Sequence, residues 1–201
     1  MIGELTALQK ERRQKILAAA SNHFSRIGFY KAELDQIARE AGVGKGTIYR
    51  YFKNKHDLYL STIEFELANL LSYIEEKTGL VTDPVEYMRI LIDAYIDYFQ
   101  KNKKSFDIII LSTTGLVDDV IRIVNKVQSQ FIPKFARKIN KGIKAGIFRE
   151  LKPELILQAL HGSLLYLLYD VFKRKKFNMT LVKENLETLF MKGLIREQQS
   201  K

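Results

Sequence analysis

Apolar residues recur along this chain at spacings of three and four, the period of an α-helix with one buried face. Ile16, Leu17, Ala20, Phe24 and Ile27 fall on one such face, and Gly28 follows as a C-terminal stop, which predicts a first helix over about residues 8–27. Leu34, Ile37, Ala38 and Ala41 make a short second stripe closed by Gly42, and Val43, Ile48, Tyr49 and Phe52 make a third. A tight glycine-containing turn joins these two short helices. Asn54 and Asp57 bracket the start of a longer helix whose apolar face runs Leu58, Ile63, Leu67, Leu70, Leu71 and Ile74 and which ends near Thr78 and Gly79. Asp83 suits an N-cap and Pro84 the first helical position, opening a helix through Gln100. Further periodic segments cover about 104–114, 118–145, 153–173 and 180–195, with Pro133 placed to kink the longest and Pro153 and Thr180 at helix starts. No stretch reads as a strand and no internal repeat is present, so the predicted fold class is all-α, with about nine helices.

Composition agrees with a folded chain. Of 201 residues, 46% are hydrophobic and 28% charged, enough to bury a core in one or two domains. The absence of Cys removes disulfide scaffolds, thiolate metal sites and thiol nucleophiles together. His23, His56 and His161 lie far apart, and nothing supplies metal-ligand spacing or a nucleophile–base pair, so no enzyme, metal or cofactor is expected. A formal net charge of +10 points to an anionic partner, with nucleic acid and an anionic membrane surface as the two large candidates. The charge is uneven: residues 1–60 hold 11 Lys and Arg against 6 Asp and Glu, while the rest hold 22 against 17. Met1 to Lys15 contains no apolar run of signal-peptide length, so a cytoplasmic location is expected. Leu155–Phe172 is apolar but carries Gln158, His161 and Asp170, which reads as a core or interface helix rather than a membrane span.

The segment from Ile37 to Lys55, IAREAGVGKGTIYRYFKNK, is the most informative. Its first helix buries Ile37 and Ala38, Ala41-Gly42-Val43 turns the chain, and the second helix projects Lys45, Gly46, Thr47, Tyr49, Arg50 and Tyr51. In a helix-turn-helix such a second helix enters the major groove of double-stranded DNA. Lys45 can meet phosphate or a guanine edge, and Thr47 can donate to phosphate or touch a thymine methyl. Gly46 admits the backbone close to DNA, and Tyr49 and Tyr51 can donate phenolic hydroxyls to phosphates. Lys55 sits at the next helix's N-terminus, where dipole and charge both favour an anion. Ile48 and Phe52 read as core. The Gly44-Lys45 pair is no phosphate loop, which would need Gly where Arg39 stands and Ser or Thr where Gly46 stands.

With its Ala-Gly-Val turn, Lys45-Gly46-Thr47 start, Tyr49 and Tyr51-Phe52, and Lys55 opening the fourth helix, this segment resembles the TetR family of bacterial transcriptional regulators. Ile16-Leu17, Ala19-Ala20, Phe24 and Gly28-Phe29 extend the likeness over about residues 10–60. Two positions depart from it. Ala32-Glu33 stands where members carry a capping Thr or Ser, and Gly44 replaces a frequent Ser or Ala. The resemblance implies an N-terminal DNA-binding domain, residues 1–54, and a C-terminal ligand-binding and dimerisation domain, residues 55–201. It also implies a homodimer reading an inverted-repeat operator, usually as a repressor, and released by a small-molecule effector.

Within the larger domain, Tyr95, Phe99, Tyr166 and Tyr169, with His161 as a polar contact, are the candidate walls of a pocket for a largely apolar or aromatic molecule. Segment 153–173 is apolar almost all round, so one of its faces needs more than its own domain to cover it. Leu160, Leu164, Leu167 and Leu168, with Leu186, Leu189 and Phe190 of the last helix, are the candidate dimer interface, a four-helix arrangement by family analogy. Competing readings are an architectural DNA-binding dimer without ligand control, and a membrane-surface contact through Lys173-Arg174-Lys175-Lys176. No membrane partner is expected on balance.

Overall fold

The computed structural model describes residues 6–111 and 117–196. Among the described residues the chain forms nine α-helices: α1 (Ala7–Lys31), α2 (Leu34–Glu40), α3 (Lys45–Tyr51), α4 (Lys55–Thr78), α5 (Pro84–Lys101), α6 (Lys103–Leu111), α7 (Val117–Lys144), α8 (Pro153–Phe172) and α9 (Met179–Leu194). The all-α expectation holds. They divide into two compact units, one of residues up to Asn69 with Asn102–Asn125, the other of Leu70–Lys101 with residues from Lys126 onward. By chain continuity, α4 and α7 each contribute to both.

In the first unit α1 packs against α2 and α6, and α2 against α3. The apolar stripes read from the sequence meet there: Ile16, Leu17, Ala20 and Phe24 of α1, Ile37 and Ala38 of α2, Ile48 of α3, Leu58 and Ile63 of α4, and Phe106 of α6 are all buried. Thr6 and Gln9 close the start of α1 with a reciprocal capping box. At Gly28 the backbone leaves helical geometry (φ 77, ψ 169), as the stop signal predicts, but a further helical turn follows and the element extends to Lys31. Asn54 caps α4, its Oδ1 accepting from the Asp57 amide at 2.8 Å, while Asp57 Oδ2 accepts from the Lys53 amide at 2.8 Å.

In the second unit α5 packs against both α8 and α9, which also pack on each other. Tyr87, Met88, Ile92 and Phe99 of α5, Ile139 of α7, Leu160, Leu164 and Leu168 of α8, and Val182 and Leu186 of α9 form the core. Asp83 caps α5 by accepting from the Glu86 amide at 2.7 Å. Two lysines of α7 fasten the end of α4: Lys134 Nζ lies 2.8 Å from Glu75 Oε1, and Lys138 Nζ donates to the carbonyls of Gly79 at 3.2 Å and Val81 at 3.0 Å. A cation there complements the negative end of the helix dipole. Gly142 sits so close to its neighbours that a Cβ would lie 2.5 Å from Phe148 Cδ2 and 2.8 Å from Pro84 Cβ. Phe148 also pairs with Ile195 in an isolated antiparallel bridge, with Arg149 N–H donating to Leu194 O at 2.8 Å and Arg196 N–H to Ile147 O at 2.9 Å.

Element boundaries depart from the sequence expectations at a few points. The last helix starts at Met179, because Asn178 rather than Thr180 supplies the cap, accepting from the Leu181 amide at 2.7 Å. The long helix α7 runs on through Pro133, whose missing amide leaves the Ser129 carbonyl without its intrahelical donor. The predicted segment 104–114 corresponds to α6, and its positions 112–114 lie outside the described residues.

Candidate functional site

Helix α3 is held by its backbone turn and by two buried side chains. Gly42 adopts φ 66, the left-handed conformation that a side chain disfavours. Its N–H donates to Arg39 O at 3.1 Å and that of Val43 to Ala38 O at 3.0 Å, the paired bonds of a Schellman closure on α2. Gly44 then starts α3 with no side-chain cap, the Thr47 amide donating to its carbonyl at 2.8 Å. Ile48 and Phe52, 1% and 2% exposed, root the helix in the first unit's core.

The opposite face carries the chemistry. Lys45, Gly46, Tyr49 and Arg50 are exposed, and Thr47 and Tyr51 are half-buried. Lys45 Nζ lies 2.8 Å from Asp35 Oδ2 on α2, and this hydrogen bond and charge hold its ammonium above the ordinary lysine value. Arg50 Nη2 donates to Thr47 Oγ1 at 3.2 Å. A Cβ on Gly46 would meet nothing within 4 Å, so internal packing makes no demand for glycine there. Lys55 is placed differently from a free N-terminal cation: Nζ donates to the carbonyls of Tyr30 and Ala32, both at 3.0 Å, and sits 4.9 Å from the Phe29 ring centroid. It ties the start of α4 to the last turn of α1 and the residue that follows it. Glu33 occupies the N-cap position of α2 without making a side-chain cap bond, so Ala32-Glu33 supplies no substitute for the absent hydroxyl.

Sequence reading missed three neighbours of this face. Asp35 pairs with Lys45, Arg13 stacks its guanidinium 5.3 Å from the Phe52 ring centroid, and Tyr30 is 76% exposed beside Lys55. Helical periodicity cannot report such pairs, which join separate elements. Behind them, His23 Nδ1 and Arg26 Nη2 both lie 3.1 Å from Glu40 Oε1, tying α1 to α2. Desolvation pushes the Glu40 carboxyl up, and these two partners more than offset it, leaving it below the usual carboxylate range.

The second unit contains a cavity of about 60 Å³. Leu71 and Ile74 of α4, Leu91 and Tyr95 of α5, Gln128, Ile132 and Phe135 of α7, and Leu157, Gln158, Leu160 and His161 of α8 line it. Tyr95 Oη lies 3.0 Å from His161 Nδ1, with the rings nearly perpendicular at 5.7 Å. Burial holds the His161 imidazole below its ordinary value and pushes the Tyr95 phenol well above its own. Of the five candidate pocket residues, Tyr95 and His161 therefore line this cavity. Phe99 is fully buried and packs edge-on against Tyr95 at 5.2 Å. Tyr166 is 61% exposed, and Tyr169 lies under the Arg174 guanidinium at 5.2 Å; neither lines the cavity. Five residues beyond His161, Tyr166 is turned by about 140° around a helix of 3.6 residues per turn.

The candidate interface residues separate in a similar way. Leu160, Leu164, Leu168 and Leu186 are buried within the unit, Leu167 and Phe190 are half-buried, and Leu189 is exposed. On α8 and α9 the exposed large apolar side chains are Leu155 and Tyr166 of the first and Leu181 and Leu189 of the second. Exposed Ala159 and Gly162 complete a stripe on α8 between Leu155 and Tyr166. Helix α8 is long and apolar enough to cross a membrane by length and composition, with a third of its apolar window buried. Its Asp170 is 2% exposed and paired with Arg174 Nη1 at 3.0 Å.

Comparison with known proteins bears on both units. Residues 16–62 match the family of bacterial regulatory proteins, tetR family. The chain is 32% identical over 99 residues to the HTH-type transcriptional activator FasR of Mycolicibacterium smegmatis, covering 49% of this chain and 45% of that relative. It is 25% identical over 189 residues to the uncharacterised HTH-type transcriptional regulator YhgD of Bacillus subtilis, covering 92% of this chain and 97% of that protein. The chain thus spans less than half of the first relative and nearly all of the second. Among solved structures, FadR from Bacillus subtilis in complex with stearoyl-CoA superposes with a TM-score of 0.77 at 21% identity, over 90% of this chain and 98% of that one. That last likeness shows a shared fold.

Proposed function

Since this chain belongs to the TetR family of bacterial regulatory proteins, a helix-turn-helix transcriptional regulator and not an enzyme, we propose that it is a cytoplasmic homodimeric repressor that reads an inverted-repeat operator and is released by a largely apolar small molecule. The observation that carries this reading is the exposed polar face of α3, rooted by buried Ile48 and Phe52. Lys45, Gly46, Thr47, Tyr49, Arg50 and Tyr51 are its reading and phosphate-contacting residues. Lys55 acts as a positioning residue for the start of α4, supported by its two bonds to the Tyr30 and Ala32 carbonyls. Two-fold symmetry gives two such helices, one per half-site, in successive major grooves.

Residues 1–54 form the DNA-reading part, and residues 55–201 bind ligand and dimerise. The uncovered stripe Leu155, Ala159, Gly162 and Tyr166 on α8, with Leu181 and Leu189 on α9, supports a four-helix interface with a second copy. For the effector, the largely apolar cavity beneath α8, which Phe135 and Tyr95 line beside leucines and isoleucines, is the supporting feature and suits a largely apolar or aromatic molecule, while the Bacillus subtilis FadR of similar fold is known in complex with stearoyl-CoA. At about 60 Å³ the cavity is far below the roughly 300–1,000 Å³ of a drug-sized pocket, so ligand entry requires its walls to part. Two of those walls are Leu71 and Ile74 of α4, the helix that starts beside the recognition motif. Tenfold release from DNA needs about 1.4 kcal/mol of differential ligand affinity between the two states.

Selection of sites from random duplex DNA at about 150 mM salt tests the first part, because non-specific contacts are already weakened there. Recovery of an inverted repeat is the expected result, and enrichment of no sequence would leave an architectural DNA-binding dimer in its place. On the recovered site, Lys45→Ala is expected to flatten the slope of log K against log salt by about 0.9 if its ammonium meets one phosphate. A reporter under the selected operator then gives the sign of regulation: expression rising on deletion of the regulator supports repression, and a fall supports activation.

A further inference from the structure

An ion pair spans the turn of the helix-turn-helix. Lys45, the first residue of α3, and Asp35, in the first turn of α2, meet with Nζ 2.8 Å from Oδ2, and their side chains stay 48% and 54% exposed. An exposed pair of this kind adds little to stability, yet it stands on the face proposed to meet DNA. Buried Ile37, Ala38 and Ile48 and the turn at Gly42 fix the two backbones that bear it. An ammonium has three N–H donors and a carboxylate about four lone-pair positions. After their mutual bond Lys45 keeps two donors and Asp35 about three acceptor positions. The pair thus presents a cationic donor and an anionic acceptor side by side.

The major-groove edge of a base pair carries the converse pattern. Cytosine N4–H donates beside guanine O6, and adenine N6–H beside thymine O4, each donor and acceptor roughly 2.9 Å apart through their own Watson–Crick bond. Resting on the DNA-reading proposal above, we infer that Asp35 and Lys45 together read one base pair in each half-site as C·G, Asp35 accepting from cytosine N4 and Lys45 donating to guanine O6. The reversed orders, G·C and T·A, turn an acceptor toward the carboxylate and leave its charge unpaired in the field of the phosphates. A·T keeps the order of donor and acceptor, but adenine N7 sets a further acceptor beside the carboxylate. The thymine methyl then faces the ammonium, where guanine N7 would supply a second acceptor. Asp35 therefore lowers the affinity of the motif for DNA at large and recovers that loss at one base pair only.

Parallel selections from random duplex DNA with the full-length parent, Asp35→Ala, Asp35→Asn and Glu33→Ala test this, helical content being checked by circular dichroism. The parent is expected to show one position in each half-site that favours C·G by about tenfold. Asp35→Ala is expected to relax that position to near-equal use of all four base pairs and to raise affinity for unrelated duplex. Asp35→Asn is expected to move the preference to A·T, because an amide accepts from adenine N6 and donates to N7. Glu33→Ala removes the same charge from the start of α2 without touching the pair, and is expected to keep the C·G preference. Unchanged preferences in both Asp35 variants overturn the inference, as does equal relaxation by Glu33→Ala. In either case a recovered inverted repeat leaves the DNA-reading proposal standing. If the parent enriches no sequence, both fail.

Discussion

The turn between α2 and α3 and the cavity beneath α8 are built at different ranges along the chain. In the turn, Gly42 at φ 66 and the bonds from Gly42 and Val43 back to Arg39 and Ala38 involve residues at most five apart. The cavity takes side chains from four helices, with Leu71 and His161 separated by 90 positions of sequence. A local device depends on backbone conformation and survives wherever its short segment is kept. A distributed one depends on how whole helices are rotated and spaced, so a change at any one of them is felt by the rest. The proposed DNA-reading face and the proposed ligand cavity therefore rest on different physical supports within one chain, and substitutions can separate them.

Ile48→Ala is expected to have the largest effect. Ile48 is 1% exposed, and emptying its site costs about 2–5 kcal/mol, so urea unfolding should shift to lower midpoint and operator affinity should fall as α3 loses its root. Unchanged hydrogen-exchange protection of α8 and α9 in the same variant would sharpen the contrast, and its loss would break it. Gly142→Ala comes next and strikes the second unit. The new methyl would meet the Phe148 ring and Pro84 inside van der Waals distance, an overpacking expected to cost about 1–3 kcal/mol and to show as a lowered urea midpoint. An unchanged midpoint would mean that Phe148 can swing aside.

The smallest expected effect is a pH dependence of stability. Burial holds the folded-state pKa of His161 below the ordinary 6.5, so as pH falls through about 6.5 the unfolded chain takes up a proton that the folded chain does not. Stability is then complete above that value and declines below it until the folded-state pKa is reached. Thermal unfolding of His161→Gln between pH 7.5 and 5 should show a shallower decline than the parent, and equal slopes would place the imidazole's titration outside the folding equilibrium.

The helices were legible because each amphipathic stripe is written at a fixed period, and their ends because Asp83, Pro84, Asn54 and the glycines act within one turn of the boundary they set. Gly28 shows the limit of that logic: the stop signal was real, yet one more turn formed beyond it. The exposed face of α3 could also be read, since Ile48 and Phe52 point inward and the remaining positions follow from helical geometry. Lys55 was harder. Its partners are carbonyls of Tyr30 and Ala32, more than 20 residues earlier, and no local pattern carries a bond between a lysine and a distant backbone. Among the pocket candidates, aromatic content alone could not tell Tyr95 from Tyr166, because a helix that is apolar on most sides gives no clue to which side faces inward.

Local chain chemistry thus specified an all-α protein with a helix-turn-helix near its start, for reasons that lie within a few residues of each element: periodicity, caps, turn glycines and a polar face opposite a buried one. Tertiary packing decided that Asp35 holds Lys45, that Tyr95 and His161 meet 3.0 Å apart, and that Leu160, Leu164 and Leu168 face the core while Leu155 and Tyr166 do not. Each of these depends on the rotation of one helix against another, which is set by the fit of many side chains at once and leaves no mark at any single position of the chain.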